Sequence, residues 1–268
     1  ISVKDLKPLE VDLQNFKEAL SVSEATDAFM NAASPGVIAQ FQPNQHYPDH
    51  SSYLYALADA MKVEYEEIAE AGLVIQIDSP DLALGRHVLF KDQSDEEFVT
   101  MAELHIEALN HALQNIPAEQ LRLHVCWGNY QGPHHCDIEM KKILPAVLKA
   151  KPMALSFEGA NPRHSHEWSV FRDAKIPENK VLIPGVLDST TNFVEHPEVV
   201  ADRLIQYSTV IPKDQLRISL QESQDVRQSM FDVHEYVALE RAARDWYIKG
   251  ISRFHPKTGE LFGFEKYK

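Results

Sequence analysis

The chain has 268 residues, 44% hydrophobic and 25% charged, which is typical of a globular protein with a substantial core. Its formal net charge of −14 argues against nucleic acid or an anionic membrane as a partner. No apolar run approaches the roughly 20 residues that a membrane-spanning helix needs. Two cysteines, Cys126 and Cys136, favour a reducing cytoplasm over a disulfide scaffold. No signal peptide is visible, and the start at Ile1 without Met indicates a processed, trimmed or partial chain.

Hydrophobic periodicity predicts helices and strands that alternate along most of the chain. The predicted helices cover residues 12–20, 53–71, 98–113, 138–150, 167–173 and 197–207, and the predicted strands cover 35–41, 73–80, 121–127, 153–158, 181–186 and 216–218. Gly72 stands where a glycine commonly ends a helix. After Ile218 the alternation is lost, with one charged helix predicted at 233–248 and a polar, aromatic tail at 254–268.

Apolar strands that alternate with helices indicate a parallel sheet covered by helices, an α/β fold. Asp78, Cys126, Glu158 and Asp188 all follow strand ends, where a (β/α)8 barrel of the TIM type places its active site. A doubly wound sheet also binds ligands at strand ends, but no glycine-rich phosphate loop follows any strand here. We therefore predict a single TIM-type barrel domain over 1–268, incomplete unless two further strands join the six predicted ones.

The predicted strand at 121–127 ends with a histidine and a cysteine two residues apart. Because residues i and i+2 of a strand share a face, His124 and Cys126 can reach one metal ion, and this donor pair suits Zn²⁺. Glu158 ends the next strand, and neighbouring strand ends lie about 5 Å apart. Three such ligands with an open fourth position are typical of a catalytic zinc site. The alternative is that His124 and Cys126 are core residues and that Glu158 caps the next segment or pairs with Arg163.

Long motifs in the chain carry a family resemblance. They are Ser34-Pro35-Gly36, Gln76-Ile77-Asp78, His124 to Tyr130 with Gly132 to His135, Ser156-Phe157-Glu158 with Asn161 to Trp168, and Ile183 to Val186 continuing through Asp188 to Asn192 and Glu195 to Glu198. They resemble the catalytic C-terminal barrel of cobalamin-independent methionine synthase, and more closely its shorter relatives, which include epoxyalkane:coenzyme M transferase. The resemblance covers about residues 12–218 and leaves 219–268 as a divergent tail.

The resemblance implies a zinc ion held by His124, Cys126, Glu158 and a second Cys, which binds the acceptor thiol, typically homocysteine. A thiol with a pKa of about 8.5 is mostly protonated at pH 7, and coordination to Zn²⁺ turns it into a thiolate nucleophile. The family carries the second Cys just after the strand near Leu216, where this chain reads Ser219 to Asp225 without one. Either the expected loop is absent from this chain, or Cys136 or a nearby histidine substitutes, or zinc is lost and the activity has changed.

The resemblance also implies two catalytic carboxylates, Asp78 and Asp188. Asp78 would activate the alkyl donor or bind substrate, and the alternative is that it caps the Ser79-Pro80 turn. Asp188 matches a family aspartate near a histidine that shuttles protons in the long synthases, and this chain has Thr190 at that place. An acid is required because the leaving group of the alkyl donor must be protonated.

Further polar and aromatic residues are candidates for substrate binding. The expected contacts are Trp127, Asn161, Arg163 and Asn192. The histidines at 134, 135, 164 and 166 either orient substrate or ligands, or are ordinary loop residues. Arg86, His87 and Arg163 are candidates for holding a carboxylate or sulfonate through charge-assisted hydrogen bonds.

We therefore expect a cytoplasmic, zinc-dependent methyl- or alkyltransferase that acts on a small thiol. Its alkyl donor would be a folate, a methylcorrinoid protein or an epoxide, and a homo-oligomer is compatible with the sequence. A zinc-free barrel that serves as a binding or scaffold protein is the alternative from another class. A third hypothesis is a metal-dependent lyase or hydrolase that keeps His124 and Glu158 and tolerates Cys126→Ser.

Overall fold

A computed structural model describes residues 1–217, apart from 24, 26, 27, 130, 131, 189 and 192–194. The predictions for Ile218, for the helix at 233–248 and for the tail at 254–268 therefore lie outside the described residues. The chain divides into two compact units: Ile1–Trp127 with His134–Ala154, and Gly128–Pro133 with Leu155–Lys268. Within the described part of the chain, no helix combines the length and the apolar character that crossing a bilayer demands.

The first unit alternates strands and helices around a parallel sheet. Its elements are α1 (Lys7–Ser21), β1 (Phe29–Ala33), α2 (Pro35–Phe41), α3 (His50–Glu70), β2 (Val74–Asp78), a 3-10 turn (Pro80–Leu82), α4 (Leu84–Val88), α5 (Asp95–Ala112), a 3-10 turn (Ala118–Gln120), β3 (Leu121–Val125) and α6 (Met140–Val147). Strands β1, β2 and β3 lie side by side in chain order and run parallel. Parallel neighbours need a crossover, and helices α2 to α5 supply it.

The register of this sheet separates an apolar face from a polar one. Ile75, Ile77 and Leu123 lie on one face and are fully buried or nearly so. On the opposite face Asn31, Gln76 and Arg122 are aligned across the three strands. The next paired position on that face, toward the carboxyl ends, joins Asp78 to His124. The sheet therefore presents its polar side chains together where its strands end.

Among the described residues, the second unit contains fewer helices and strands than the first. It contains most of β4 (Ala154–Phe157), a 3-10 turn (Glu167–Arg172), β5 (Val181–Pro184), α7 (Pro197–Ser208) and a 3-10 turn (Lys213–Gln215). Strands β4 and β5 are neighbours, and the N–H of Gly185 donates to the carbonyl of Phe157 at 2.8 Å. Leu182 also forms a parallel bridge with Leu216, which is where the sequence predicts the next strand to start.

Local sequence signals explain where several helices begin and end. Ser94 and Glu97 form a capping box at the start of α5, and Asp49 caps α3 by accepting the N–H of Ser52. Gly72 follows α3 with a φ of 84°, the left-handed conformation expected of a glycine after a helix. The predicted termination of this helix is confirmed.

One predicted strand is wrong. The sequence predicts a strand at 35–41, but these residues form helix α2, and the first strand is β1 at Phe29–Ala33. Ser34 caps α2 by accepting the N–H of Val37, and Pro35 occupies the first turn, where its missing N–H costs nothing. The β-branched pair Val37-Ile38 suggests a strand, but the Ser-Pro start determines a helix instead.

The predicted α/β class is confirmed, because the strands are parallel and helices connect them. A (β/α)8 barrel has eight strands, and the described residues supply five named strands and the bridge at Leu216. The barrel is therefore incomplete in the part of the chain that the structure describes.

Candidate active site

Three predicted site residues lie at the ends of two neighbouring strands of the first unit. Asp78 is the last residue of β2 and is paired in register with His124 of β3. Cys126 follows β3 directly and is buried, with 7% of its surface exposed. Asp78, His124 and Cys126 thus mark the carboxyl edge of one small sheet, the place where parallel sheets carry catalytic groups.

His124 is buried and lacks a partner for one ring nitrogen. Its Nδ1 atom makes no hydrogen bond to any residue that the structure describes. Burial, and secondarily the nearby charge of Arg122, lowers the pKa of His124 to about 4. The imidazole is therefore neutral at physiological pH, which is the form that binds metal ions. An orphaned nitrogen two residues before a buried thiol fits a metal ligand.

Asp78 is held from two sides. The side-chain amide of Gln76 donates to Asp78 Oδ1 at 3.1 Å, and the N–H of Ser34 donates to its backbone carbonyl at 3.0 Å. Gln76 is almost fully buried, whereas Asp78 is half-buried. The carboxylate thus has a fixed orientation and some access to a ligand.

In the second unit Glu158 follows β4 directly and is 2% exposed. Asn161 Nδ2 donates to Glu158 Oε2 at 2.5 Å, and Arg163 Nη2 lies 3.7 Å from the same oxygen. Asn161 Oδ1 in turn accepts the backbone N–H of Arg163 at 3.0 Å and that of His164 at 3.2 Å. Asn161 and Arg163, both predicted to bind substrate, therefore orient the Glu158 carboxylate. The pairing of Glu158 with Arg163, which the sequence analysis gave as an alternative role for Glu158, is present.

Asp188 is buried at the end of the segment after β5. Its Oδ1 accepts both the N–H of Thr190 at 2.9 Å and the Thr190 hydroxyl at 2.6 Å. Its own N–H donates to Glu195 Oε2 at 2.8 Å, and Glu195 pairs with Arg203 at 2.6 Å. Thr190, at the family's histidine position, thus contacts the catalytic candidate directly. Asn192 lies outside the described residues.

Trp127 belongs to the core of the first unit. Its side chain is fully buried, and its indole N–H donates to the carbonyl of Ile138 at 2.7 Å. Packing accounts for the conformation of Trp127, and its contact with substrate remains a prediction.

One histidine of each pair singled out in the sequence has a carboxylate partner. His134 Nδ1 lies 2.9 Å from Asp137, and His164 Nδ1 lies 2.9 Å from Glu167. Both pairs are three residues apart, a spacing that could have been noticed in the sequence. The ring of His87 stacks on that of His134, with centroids 5.6 Å apart.

Arg86 is engaged inside its own unit. Its Nε donates to Asp95 at 3.0 Å and its Nη1 donates to the carbonyl of Phe90 at 3.0 Å. The proposed capture of an anion by Arg86 and His87 remains a prediction.

Within the described residues, no three His, Cys, Asp or Glu side chains form a group that could hold a metal ion. The segment after Leu216, where the family carries its second Cys, lies outside them. The fit to a metal therefore rests on the donor types and on the orphaned nitrogen of His124.

Known proteins resemble this chain in sequence. Residues 35–221 match the family model of the cobalamin-independent synthase catalytic domain. The chain is 27% identical over 218 residues to a methionine synthase of Saccharolobus solfataricus, covering 80% of this chain and 56% of that protein. It is 24% identical over 232 residues to a 2-hydroxypropyl-CoM lyase of Xanthobacter autotrophicus, covering 76% of this chain and 57% of that protein. The chain spans just over half the length of these relatives.

The fold resembles that of a solved B12-independent methionine synthase from Shewanella sp. W3-18-1 in complex with selenomethionine. The TM-score is 0.65 at 17% identity, and the match covers 88% of this chain and 67% of that one. At this identity the likeness concerns the fold alone.

Proposed function

The chain belongs to the cobalamin-independent methionine synthase family by its catalytic domain, and from this membership we propose a zinc-dependent transfer of an alkyl group to a small thiol. The observation that carries the proposal is the buried, neutral His124, whose Nδ1 has no partner among the described residues. It lies two residues before Cys126 at the end of β3. A buried polar atom without a partner costs stability, so its retention favours a role with a bound ligand.

His124, Cys126 and Glu158 would hold the zinc ion. The three supply nitrogen, sulfur and oxygen donors, a set found in catalytic zinc sites. A bound Zn²⁺ would supply Lewis acidity, lowering the pKa of the substrate thiol so that it reacts as a thiolate. Asn161 and Arg163 contact the Glu158 carboxylate, and they would orient it toward the metal ion.

The two aspartates would handle the proton and the substrate's polar groups. In the transfer, the sulfur of the thiol forms a bond to the alkyl carbon, the bond from that carbon to its leaving group breaks, and the leaving group takes a proton. Asp188, which accepts two hydrogen bonds from Thr190, and Asp78, fixed by Gln76, are the candidate acid–base groups.

Homocysteine is the default acceptor, because methionine synthase is the name of the similar archaeal protein. The similar 2-hydroxypropyl-CoM lyase supports a second possibility, a small thiol other than homocysteine with an epoxide as partner. A folate or a methylcorrinoid protein remains the donor expected for methionine synthesis.

A zinc-free binding protein is the second candidate function. It is favoured by one observation, the lack of any Cys after Cys136 in the whole chain. Such a protein would keep the inherited residues at the strand ends and would bind a small molecule without alkyl transfer.

Alkyl transfer can be tested with the purified protein, homocysteine or a sulfonate thiol, and each donor in turn, with mass spectrometry of the S-alkyl product. Cys126→Ser is the test variant and Cys136→Ser is the matched control, since both remove one thiol of the same unit. We expect product from the wild type and from Cys136→Ser, and none from Cys126→Ser. Loss of product in Cys136→Ser as well would mean that Cys136 takes the place of the second Cys ligand. Equal product from Cys126→Ser would contradict the proposed role, and ligand binding without product from any donor would favour the binding protein.

A further inference from the structure

A second cluster of buried polar side chains lies in the first unit and includes none of the predicted site residues. Four side chains from four segments meet: Ser34 before α2, His50 at the start of α3, Asp81 in the turn after β2, and His105 in the middle of α5. Ser34 and Asp81 are each 2% exposed and His105 is 4% exposed. We refer to these four residues as the Asp81 network.

Hydrogen bonds connect all four side chains in sequence. The Ser34 hydroxyl donates to Asp81 Oδ1 at 2.7 Å, and His105 Nδ1 lies 2.8 Å from Asp81 Oδ2. His105 Nε2 lies 2.9 Å from His50 Nε2, and His50 is half-buried at the solvent end. A carboxylate only accepts, so the proton of this contact belongs to His105 Nδ1. A buried charge is tolerated because both of its oxygens have partners.

Gly36 makes room for the network. A β-carbon at this position would lie 2.0 Å from Asp81 Oδ2 and 2.6 Å from His105 Nδ1, and both atoms belong to the buried hydrogen bond. Every other residue type would therefore displace that bond. The Ser34-Pro35-Gly36 sequence thus supplies a hydroxyl donor and an open space for the same carboxylate.

The turn that carries Asp81 is hydrogen-bonded to the backbone of two of the three ligand candidates. The N–H of Ser79 donates to the carbonyl of His124 at 2.9 Å, and the N–H of Leu84 donates to the carbonyl of Cys126 at 3.1 Å. Asp81 lies between these two contacts in the chain. Whatever fixes Asp81 therefore also fixes the two hydrogen bonds that support the end of β3.

We propose that Asp81 and His105 are positioning residues that hold the 79–84 turn, and through it His124 and Cys126, in the geometry that binds metal. The importance of that geometry rests on the proposed function, whereas the hydrogen bonds that transmit it are independent of it. Residues that orient metal ligands from behind commonly matter nearly as much as the ligands themselves.

A second pair in which a histidine of α5 meets a carboxylate provides the control. His111 of α5 lies 2.7 Å from Asp59 of α3, but this pair is exposed, and neither side chain bonds to the 79–84 turn in the part of the chain that the structure describes. Both pairs connect α5 to an acidic side chain, and only the Asp81 network reaches the strand end. The substitutions His105→Leu and His111→Leu therefore make the same chemical change in two places.

The experiment titrates Co²⁺ into both variants and the wild type and follows the thiolate-to-cobalt absorption band. We expect His105→Leu to weaken Co²⁺ binding by about 10- to 100-fold, and His111→Leu to leave it unchanged. His105→Asn can still donate from the position of Nδ1, so it should recover most of the affinity. Equal affinity of His105→Leu and the wild type would overturn the proposal. Should His105→Leu fail to fold, Asp81→Asn and Ser34→Ala, which each weaken one bond of the network, provide the same comparison.

Amide hydrogen exchange separates this proposal from the proposed function. If the wild type binds no Co²⁺ through a thiolate, the proposed function fails, yet exchange of the Ser79 and Leu84 amides still tests the positioning. We expect His105→Leu to speed exchange at both amides at least about tenfold relative to His111→Leu, since the local opening becomes easier. Unchanged protection at these amides would overturn the positioning role.

Discussion

The ends of β3 and β4 each carry a buried titratable side chain, but the two side chains differ in their hydrogen-bond partners. At the end of β4, Glu158 receives the amide of Asn161 and faces the guanidinium of Arg163. At the end of β3, His124 is almost equally buried and its Nδ1 has no partner among the described residues. Folding alone explains the first arrangement, because a buried carboxylate needs partners. It does not explain the second, which is therefore the better indicator of function.

The largest expected effect comes from removing the thiol at the β3 end. Loss of a residue that hydrogen-bonds to a metal ligand lowers activity by up to roughly 100-fold. Cys126→Ser removes a proposed ligand itself, so it should lower the rate of alkyl transfer by more than this. The steady-state rate at saturating thiol and donor measures this effect. A variant that retains a tenth or more of the wild-type rate would show that Cys126 is not a metal ligand.

The second-largest expected effect concerns Glu158 at the end of β4, whose carboxylate has hydrogen-bond partners. Asn161→Ala removes the 2.5 Å hydrogen bond from Asn161 Nδ2 to the buried carboxylate of Glu158. We expect a loss of about 1–3 kcal/mol in the free energy of unfolding, measured by urea denaturation of the metal-free protein. Asn110→Ala is the control, because Asn110 also bonds to the backbone at Lys149 and Lys151 but lies away from the strand ends. Equal losses in the two variants would remove the contrast between Asn161 and an ordinary surface amide.

His124→Leu should act in the opposite direction on stability. Replacing a buried ring that has an orphaned nitrogen by an apolar side chain should raise the free energy of unfolding of the metal-free protein by about 1 kcal/mol. The same change should abolish zinc binding. A loss of stability instead would mean that the Nδ1 atom is satisfied in the folded protein, and that the contrast between the two strand ends is wrong.

Features of the fold and the site could be predicted from the sequence where they depend on residues close together in the chain. Period-3.6 patterns located α3 and α5, and the apolar runs located β2 and β3 along with their polar ends. Asn161 is three residues from Glu158, so its role was within reach of local reasoning. The contact between Asp81 and His105 spans 24 residues and two elements, and nothing in the helical pattern of α5 distinguishes His105 from a core residue.

The smallest expected effect concerns pH and the solvent end of the Asp81 network. Burial first, and then the neighbouring His105, lowers the pKa of His50, while Asp49 and Asp81 oppose this shift. The unfolded chain therefore binds more protons than the folded one below about pH 6.5, and stability should fall as the pH drops through that range. Thermal unfolding at pH 7 and pH 5.5 should show a smaller loss for His50→Gln than for the wild type. Identical losses would show that His50 does not contribute to the pH dependence.

The central claim is a zinc site at the end of β3, and elemental analysis of protein purified without chelators or an affinity tag tests it most directly. The account predicts about one zinc ion per chain in the wild type and in Cys136→Ser, and almost none in Cys126→Ser. Absence of zinc from the wild type, or full zinc content in Cys126→Ser, would contradict it.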